Sequence, residues 1–387
     1  VATAQFRLSA AAAMSFFFGA SLFSTGILIP YFPLILAARG LSAETIGYVL
    51  AAPYLLRLVA LPVIAALAGR LPDRRFALSI VAAATFGAAI AFGSATAPWQ
   101  IFVTASLVLL LVQGLQPVTE AIALSIDRRG LGNYGRMRLW GSATFIVANM
   151  AGGALLADRG IDAVFLALLA TFAFTFLATF VLPATGRTVA ASGGASAAIL
   201  RDRVFLAVLV AGGLIMAGHA ALYGFASLVW QQRGYSEAAI GIFWAIGVVA
   251  EILLFAAGPA VFRHVSPYGL LVFAAASGTV RWLLFPGDYG PAVTALMQVS
   301  HAGTFACAHL GMMRFISSVV PDGRVASAQS TYVIFVGLFM AVSTALSGAG
   351  FAARGGGTFT LMAAFSAAAL VLLLAVGPRV QRLPVAS

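Results

Sequence analysis

Runs of twenty or more residues without a single charge recur along this 387-residue chain, and no other feature limits its fold so strongly. A helix needs roughly 20 mostly apolar residues to cross the hydrocarbon core of a bilayer. Inside that core every backbone N–H and C=O must be satisfied by the protein itself. Only 9% of the residues are charged and 62% are hydrophobic, against about 25% charged in ordinary soluble domains. Alternating strands of the outer-membrane barrel type are not visible. The chain therefore reads as an all-α integral membrane protein.

Apolar runs set against helix breakers give twelve transmembrane helices, over 8–38, 43–68, 76–96, 98–126, 138–157, 161–183, 204–231, 237–262, 268–286, 291–320, 326–353 and 358–378. Several exceed the minimum length, which permits tilt or curvature. Pro30, Pro33, Pro53, Pro62 and Pro117 fall inside them, as membrane helices tolerate where neighbours satisfy the freed carbonyls. The first run is too long for a cleavable signal peptide and has no small-residue cleavage pattern after it. The longest polar connection, 184–203, carries Thr185, Gly186, Ser192, Gly193, Gly194 and Ser196 and reads as a flexible cytoplasmic linker. Two six-helix bundles are thus expected, 1–183 and 204–387.

All 22 basic residues are arginine, and the formal net charge is +11. Such a balance can signal nucleic-acid binding. Here most of the arginines fall in short loops on one side, which is the positive-inside pattern instead. That side receives Arg7, Arg70, Arg74, Arg75, Arg128, Arg129, Arg136, Arg138, Arg187, Arg201, Arg203, Arg263, Arg324, Arg379 and Arg382. The other receives Arg39, Arg159, Arg233 and Arg354. The asymmetry predicts both termini in the cytoplasm, as an even number of spans requires. Cys307, the one cysteine, cannot form an intrachain disulfide.

The two halves share a short repeat. Arg39-Gly40-Leu41-Ser42 runs on to Ile46-Gly47, and Arg233-Gly234-Tyr235-Ser236 runs on to Ile240-Gly241, 194 residues later. The same offset relates Arg57 to Glu251 and Glu120 to Arg314. Tandem duplication in an apolar chain is the mark of transporters built from two similar bundles.

Gly69-Arg70-Leu71-Pro72-Asp73-Arg74-Arg75, between the second and third spans, resembles the loop signature of the major facilitator superfamily. The resemblance implies a conformational latch formed by Gly69, Asp73, Arg74 and Arg75. The equivalent loop of the second half, Arg263-His264-Val265-Ser266-Pro267, is degenerate. Pro117-Val118-Thr119-Glu120-Ala121, followed by Tyr134-Gly135-Arg136-Met137-Arg138-Leu139-Trp140-Gly141, resembles the lactose permease, 3-phenylpropionate permease and nucleoside:proton symporter group. It implies a charged pair, Glu120 with Arg138, at the substrate site. It also implies that Glu251, Arg281 and His301 serve proton coupling and substrate binding. The likeness covers the whole chain in layout and reaches motif level in three stretches. Lactose permeases carry a proton-bearing Glu three residues after the tenth-span His, where Thr304 stands here. Their sugar-stacking Trp is replaced by Phe145. Both departures argue against a galactoside.

The residues point the same way without the family. An ionisable group at the bilayer centre costs about 2.5–3.5 kcal/mol on insertion scales, so it faces the protein interior. Arg57, His219, Glu251, Arg281, His301 and His309 all lie well inside their spans. A structural pair of Glu251 with Arg281 or Arg57 is the bland alternative. For Glu120 and Arg138 it is an ion pair between helix ends. Arg138, Ser142 and Phe145 share one helix face, as do Gln113, Pro117 and Glu120. His309 and Cys307 read as packing residues, Arg314 as a snorkelling arginine. No ligand cluster suggests a metal or cofactor, and motifs of hydrolases and P-loop enzymes are absent, so no enzyme is expected.

The expected protein is a proton-coupled symporter working by alternating access around a cavity between the bundles. Its partners would be a small organic solute, protons and the lipid bilayer, with no nucleic acid, and it would function as a monomer in the inner membrane. Substrate would meet Arg57, Glu120, Arg138, Phe145, His219, Tyr223, Arg281 and His301, while Glu251 and His301 handle the proton. Three arginines against two carboxylates leave a surplus cation, which favours a monocarboxylate. Phe145, Trp140, Trp244 and Tyr223 offer surface for an aromatic ring. A symporter of neutral nucleosides or oligosaccharides is the alternative. A drug efflux antiporter lacks its Gly-Pro signature in Ala148-Asn149-Met150-Ala151-Gly152-Gly153, and a non-transporting sensor has nothing to recommend it.

Overall fold

The computed structural model describes residues 8–184, 202–321 and 324–380, with backbone alone at 259, 260 and 326. Most of the 184–203 connection lies outside the described residues, as do Arg7, Arg187, Arg201 and Arg382. The described chain is almost wholly helical: α1 (Ala10–Ala38), α2 (Ala43–Arg70), α3 (Arg74–Ser94), α4 (Pro98–Arg128), α5 (Tyr134–Ala178), α6 (Arg203–Ala217), α7 (Ala220–Gln232), α8 (Glu237–Val261), α9 (Pro267–Leu284), α10 (Gly290–Val299), α11 (Cys307–Val319), α12 (Val325–Arg354) and α13 (Phe359–Val380).

These helices form the twelve spans. The fifth and sixth run on as α5, broken at Gly160 (φ 77°, ψ −177°). The eleventh and twelfth, α12 and α13, are joined by one 3-10 turn, Gly355–Thr358. Two spans are interrupted in ways the sequence pattern does not announce. The seventh divides into α6 and α7 at Gly218 and His219. The tenth is α10 and α11 joined through a π-helical turn, Ala302–Ala306.

By proximity the chain divides into two compact units, Val1–Ile35 with Leu56–Ala190, and Leu36–Leu55 with Ala191–Ser387. The end of α1 and the first half of α2 therefore pack with the second unit. In the first unit, Met14, Phe17 and Phe18 of α1 meet Leu78 of α3, Ile122 and Ile126 of α4 and Met137 of α5. In the second, Val208, Leu209 and Ala211 of α6 pack with Leu271 and Ala274 of α9, Ala308 and Met312 of α11, and Ala369 and Leu373 of α13. Small residues recur at these contacts because membrane helices gain from close backbone approach rather than from escape from water.

The repeated motif proves to be helix punctuation. Gly40 (φ 79°) and Gly234 (φ 75°) end α1 and α7 in the left-handed conformation. Leu41 N–H returns to the Leu36 carbonyl at 3.3 Å, and Tyr235 N–H to Trp230 at 3.1 Å, the paired bonds of a Schellman end. Ser42 and Ser236 then cap α2 and α8, accepting the N–H groups of Thr45 (3.2 Å) and Ala239 (3.3 Å). The second copy also ties loops together. Arg233 donates to the Phe285 and Pro286 carbonyls, each at 2.8 Å, and Tyr235 donates its hydroxyl to Asp288 at 2.8 Å.

A non-glycine residue in the left-handed region costs about 1–2 kcal/mol. Gly234→Ala is thus expected to lower the unfolding midpoint of the detergent-purified protein, and Gly234→Asn to lower it less, by differential scanning fluorimetry. The Tyr235 hydroxyl, followed by the Gly290 N–H, holds the Asp288 carboxyl below its ordinary value of 3.8. Its contribution is present at neutral pH and is lost as pH falls below that value. An acid-induced rise in amide exchange confined to this loop should disappear in Asp288→Asn.

Candidate functional site

Of the ionisable residues singled out within the second unit, His219, Glu251, Arg281 and His301 converge on one point, and a helix irregularity delivers several of them. Where α6 gives way to α7, the His219 N–H bonds to the Met216 carbonyl at 3.0 Å. The Ile215 carbonyl is taken instead by the His219 ring, whose Nδ1 lies 3.1 Å from it and 3.3 Å from the Met216 carbonyl. Two further groups freed at the break are met from neighbouring helices. Ser343 Oγ donates to the Ala217 carbonyl at 2.8 Å, and the Ala221 N–H reaches Met362 Sδ at 3.4 Å. A broken membrane helix persists only with such replacements.

Carbonyls accept only, so His219 carries its proton on Nδ1 and, when neutral, offers Nε2 as an acceptor. That Nε2 lies 3.0 Å from the hydroxyl oxygen of Thr304, in the π-helical turn of the tenth span. Arg281 on α9 donates Nη1 to the same oxygen at 3.0 Å. Its Nη1 also lies 3.3 Å from His301 Nδ1, and its Nη2 donates to Gln298 Oε1 at 3.3 Å. Gln298 is oriented for this role because its amide nitrogen donates to the Thr294 carbonyl at 3.2 Å. The Arg281 guanidinium carbon sits 4.4 Å over the Trp282 ring.

Two assignments follow. His301 accepts from Arg281 at Nδ1, so its neutral form carries the proton on Nε2, which faces Glu251 Oε2 at 3.8 Å. Arg281 is 3% exposed, and among the described residues no carboxylate lies within 4.0 Å of it. Its Nε is buried with no hydrogen-bond partner among them. The direct Glu251–Arg281 pair weighed from sequence is not formed; the imidazole of His301 stands between them. Position along α8 and α9 places both charges within their spans but says nothing about what lies between the helices.

Aromatic rings surround the cluster. His219 meets His301 at 5.4 Å and Trp282 at 5.4 Å between ring centroids. Tyr223 stacks on His219 at 6.2 Å and on Trp244 at 6.3 Å, while Phe305 stacks on His301 at 5.3 Å. His309 packs between Phe255 and Phe305. Among the described residues no group of three or more His, Cys, Asp or Glu could hold a metal ion.

The first unit holds a second charged group. Arg138 Nε lies 3.7 Å from Glu120 Oε1, with both side chains partly exposed. Arg57 donates to Gln113 Oε1 at 3.2 Å. Phe145 packs against the apolar core of α1, α3 and α4. Trp140 faces elsewhere, lining a cavity of about 800 Å³ with Phe16 and Phe174. In the loop before α3, Asp73 is buried and caps the helix, accepting the Arg75 backbone N–H at 2.9 Å. Arg74 donates to the Ala121 carbonyl of α4 at 3.1 Å, and the Arg75 guanidinium lies 5.2 Å from the Phe76 ring centre. A Cβ at Gly69 would meet nothing within 4 Å.

Gln298, Thr304 and Trp282 did not emerge as site residues from the sequence. Gln298 and Thr304 lie three residues either side of His301, the spacing that brings polar groups to one helix face, and that signal was available. The π-helical turn was not.

The sequence profile of the MFS_1 like family matches residues 9–363. The chain is 32% identical over 358 residues to the "Probable 3-phenylpropionic acid transporter" of Escherichia coli (strain K12), covering 90% of this chain and 93% of that one. It is 27% identical over 275 residues to the "Maltose permease" of Geobacillus stearothermophilus, covering 69% and 68%. The crystal structure of the nucleoside transporter NupG superposes with a TM-score of 0.82 at 14% identity, over 96% of this chain and 99% of that chain. An inward-facing bacterial homologue of the human lysosomal transporter Spinster gives 0.66 at 14% identity, over 96% and 95%. At such identities the last two speak for the fold alone.

Asp73 allows cap and charge to be separated. Asp73→Ala removes both and is expected to cost about 1 kcal/mol, whereas Asp73→Asn keeps a capping acceptor and should leave stability nearly unchanged. Thermal unfolding of the two purified variants checks this.

Proposed function

Because this chain belongs to the MFS_1 like family, within the major facilitator superfamily of multi-pass membrane transporters, we propose that it is a proton-coupled symporter importing an arylalkyl monocarboxylate of the 3-phenylpropionate type. The observation that carries the reading is Arg281, a buried guanidinium whose protein partners are all neutral. A buried charge is expensive unless paired. An incoming carboxylate supplies the missing countercharge, and a guanidinium fork matches its two oxygens. The rings of Tyr223, Trp244 and Phe305 offer apolar faces nearby for an aryl group.

Glu251 handles the coupled proton, through the Nε2 face of His301. Glu120 and Arg138 form the corresponding charged pair of the first half, and Arg57 with Gln113 a further polar contact for solute. Asp73, Arg74 and Arg75 latch one conformational state. The protein lies in the inner membrane as a monomer with both termini cytoplasmic, as its arginine distribution supports.

The likeness to a maltose permease favours a neutral saccharide as the competing reading. Proteoliposomes loaded at a fixed pH gradient decide between them. 3-Phenylpropionate should accumulate uphill, while its amide and maltose should not compete. Arg281→Lys keeps the charge but loses the fork, so binding should weaken. Arg281→Gln should cost about 2–5 kcal/mol, the range for truncating one partner of a buried charge pair. Glu251→Gln should abolish uphill accumulation and spare counterflow exchange. Asp73→Asn should slow turnover without changing affinity. Stabilisation by maltose and by no carboxylate would overturn the acid assignment.

A further inference from the structure

Resting on that reading of Arg281 as the anion-binding group, we propose that His219 is a positioning residue that couples the break in the seventh span to the anion site through Thr304. The break leaves the Ile215 and Met216 carbonyls facing His219 Nδ1 at 3.1 and 3.3 Å, which fixes the tautomer. Nε2 then accepts the one proton of the Thr304 hydroxyl at 3.0 Å, a shorter separation than the 3.2 Å to the alternative acceptor, the His301 carbonyl. With its proton committed to His219, the hydroxyl turns its lone pairs to Arg281 Nη1 at 3.0 Å. Each of the three side chains is less than 4% exposed, so water does not substitute for a lost partner.

The chain of bonds runs from a backbone irregularity to a charged group. Straightening the seventh span would return the Ile215 carbonyl to the His219 backbone N–H and release the ring. The Thr304 hydroxyl would then turn to the His301 carbonyl, and Arg281 would lose the orientation it holds here. Affinity for an anion therefore follows the shape of this span. The titratable and charged groups facing Thr304 and His219 are Arg281 from α9, His301 from the tenth span and Tyr223 from α7, with Glu251 of α8 reached through His301. Thr304 replaces the acidic residue expected from the resemblance, and a hydroxyl can relay orientation between two nitrogen groups where a carboxylate would neutralise the arginine.

A double-mutant cycle tests this in the full-length protein in proteoliposomes. His219→Asn retains an amide near the Nδ1 position but removes the Nε2 acceptor. Thr304→Val removes the hydroxyl at constant shape. Each is expected to weaken binding of 3-phenylpropionate about tenfold, the scale of one hydrogen bond to a charged group. The double variant should be no weaker than either alone, with maximal exchange rate preserved and only the half-saturation concentration raised. Thr304→Ser should restore wild-type affinity. Thermal unfolding of each variant, measured in parallel, separates misfolding from mispositioning. Additive losses, or a lowered exchange rate at unchanged half-saturation, would overturn the proposal. Should wild-type protein bind no carboxylate at all, the functional reading fails instead. Loss of coupling with intact wild-type acid binding removes the role of His219 alone.

Discussion

A guanidinium carries its charge wherever the fold puts it, and Arg281 has been put where solvent hardly reaches. Its surroundings answer with oriented neutral dipoles. Gln298 is turned by the Thr294 carbonyl, His301 presents its unprotonated nitrogen, and Thr304 presents an oxygen whose proton points elsewhere. The orientations of Gln298 and Thr304 each rest on a further contact, to the Thr294 carbonyl and to His219, so the arrangement is a network rather than a set of pairs. Local helix geometry serves it. The π-helical turn of the tenth span sets Thr304 and His301 against the same guanidinium, and π-bulges are often found at functional sites.

The relatives put this network in context. The chain shares its fold with a nucleoside transporter and with a bacterial homologue of a lysosomal transporter, at identities too low to carry substrate over. What separates such proteins is a handful of side chains on a common scaffold. In this chain the described neighbours of Arg281 are uncharged side chains, and a carboxylate at position 304 would change that balance.

Much of the architecture was legible in the sequence. Twelve apolar runs became twelve spans because membrane helices leave no other way to satisfy the backbone, and the Arg-Gly-x-Ser repeat recurs as the same pair of helix caps in each half. The ionisable residues inside the spans of the second half were also picked out by position, and the structure gathers Glu251, Arg281, His219 and His301 together. Their pairing was not legible. Glu251 and Arg281 look complementary on a linear chain, and only the third dimension inserts His301 between them. The break at Gly218 and His219 was not legible because glycine is common inside membrane helices, and the bonding is completed by His219 itself and by serine and methionine side chains of packed helices. The packing of Leu36–Leu55 with the second unit likewise has no counterpart in linear order.

That break carries a last implication. Its freed carbonyl at Ala217 and its freed N–H at Ala221 are served by Ser343 on α12 and Met362 on α13, residues more than a hundred positions downstream. The address of the discontinuity is thus written on other helices. Lengthening or shortening α6 by one residue would shift the unmet groups away from fixed donors and acceptors, in a medium that supplies none. The site of bending is therefore locked to the register of the last two spans, and evolutionary drift in the seventh span alone has no freedom to relocate it.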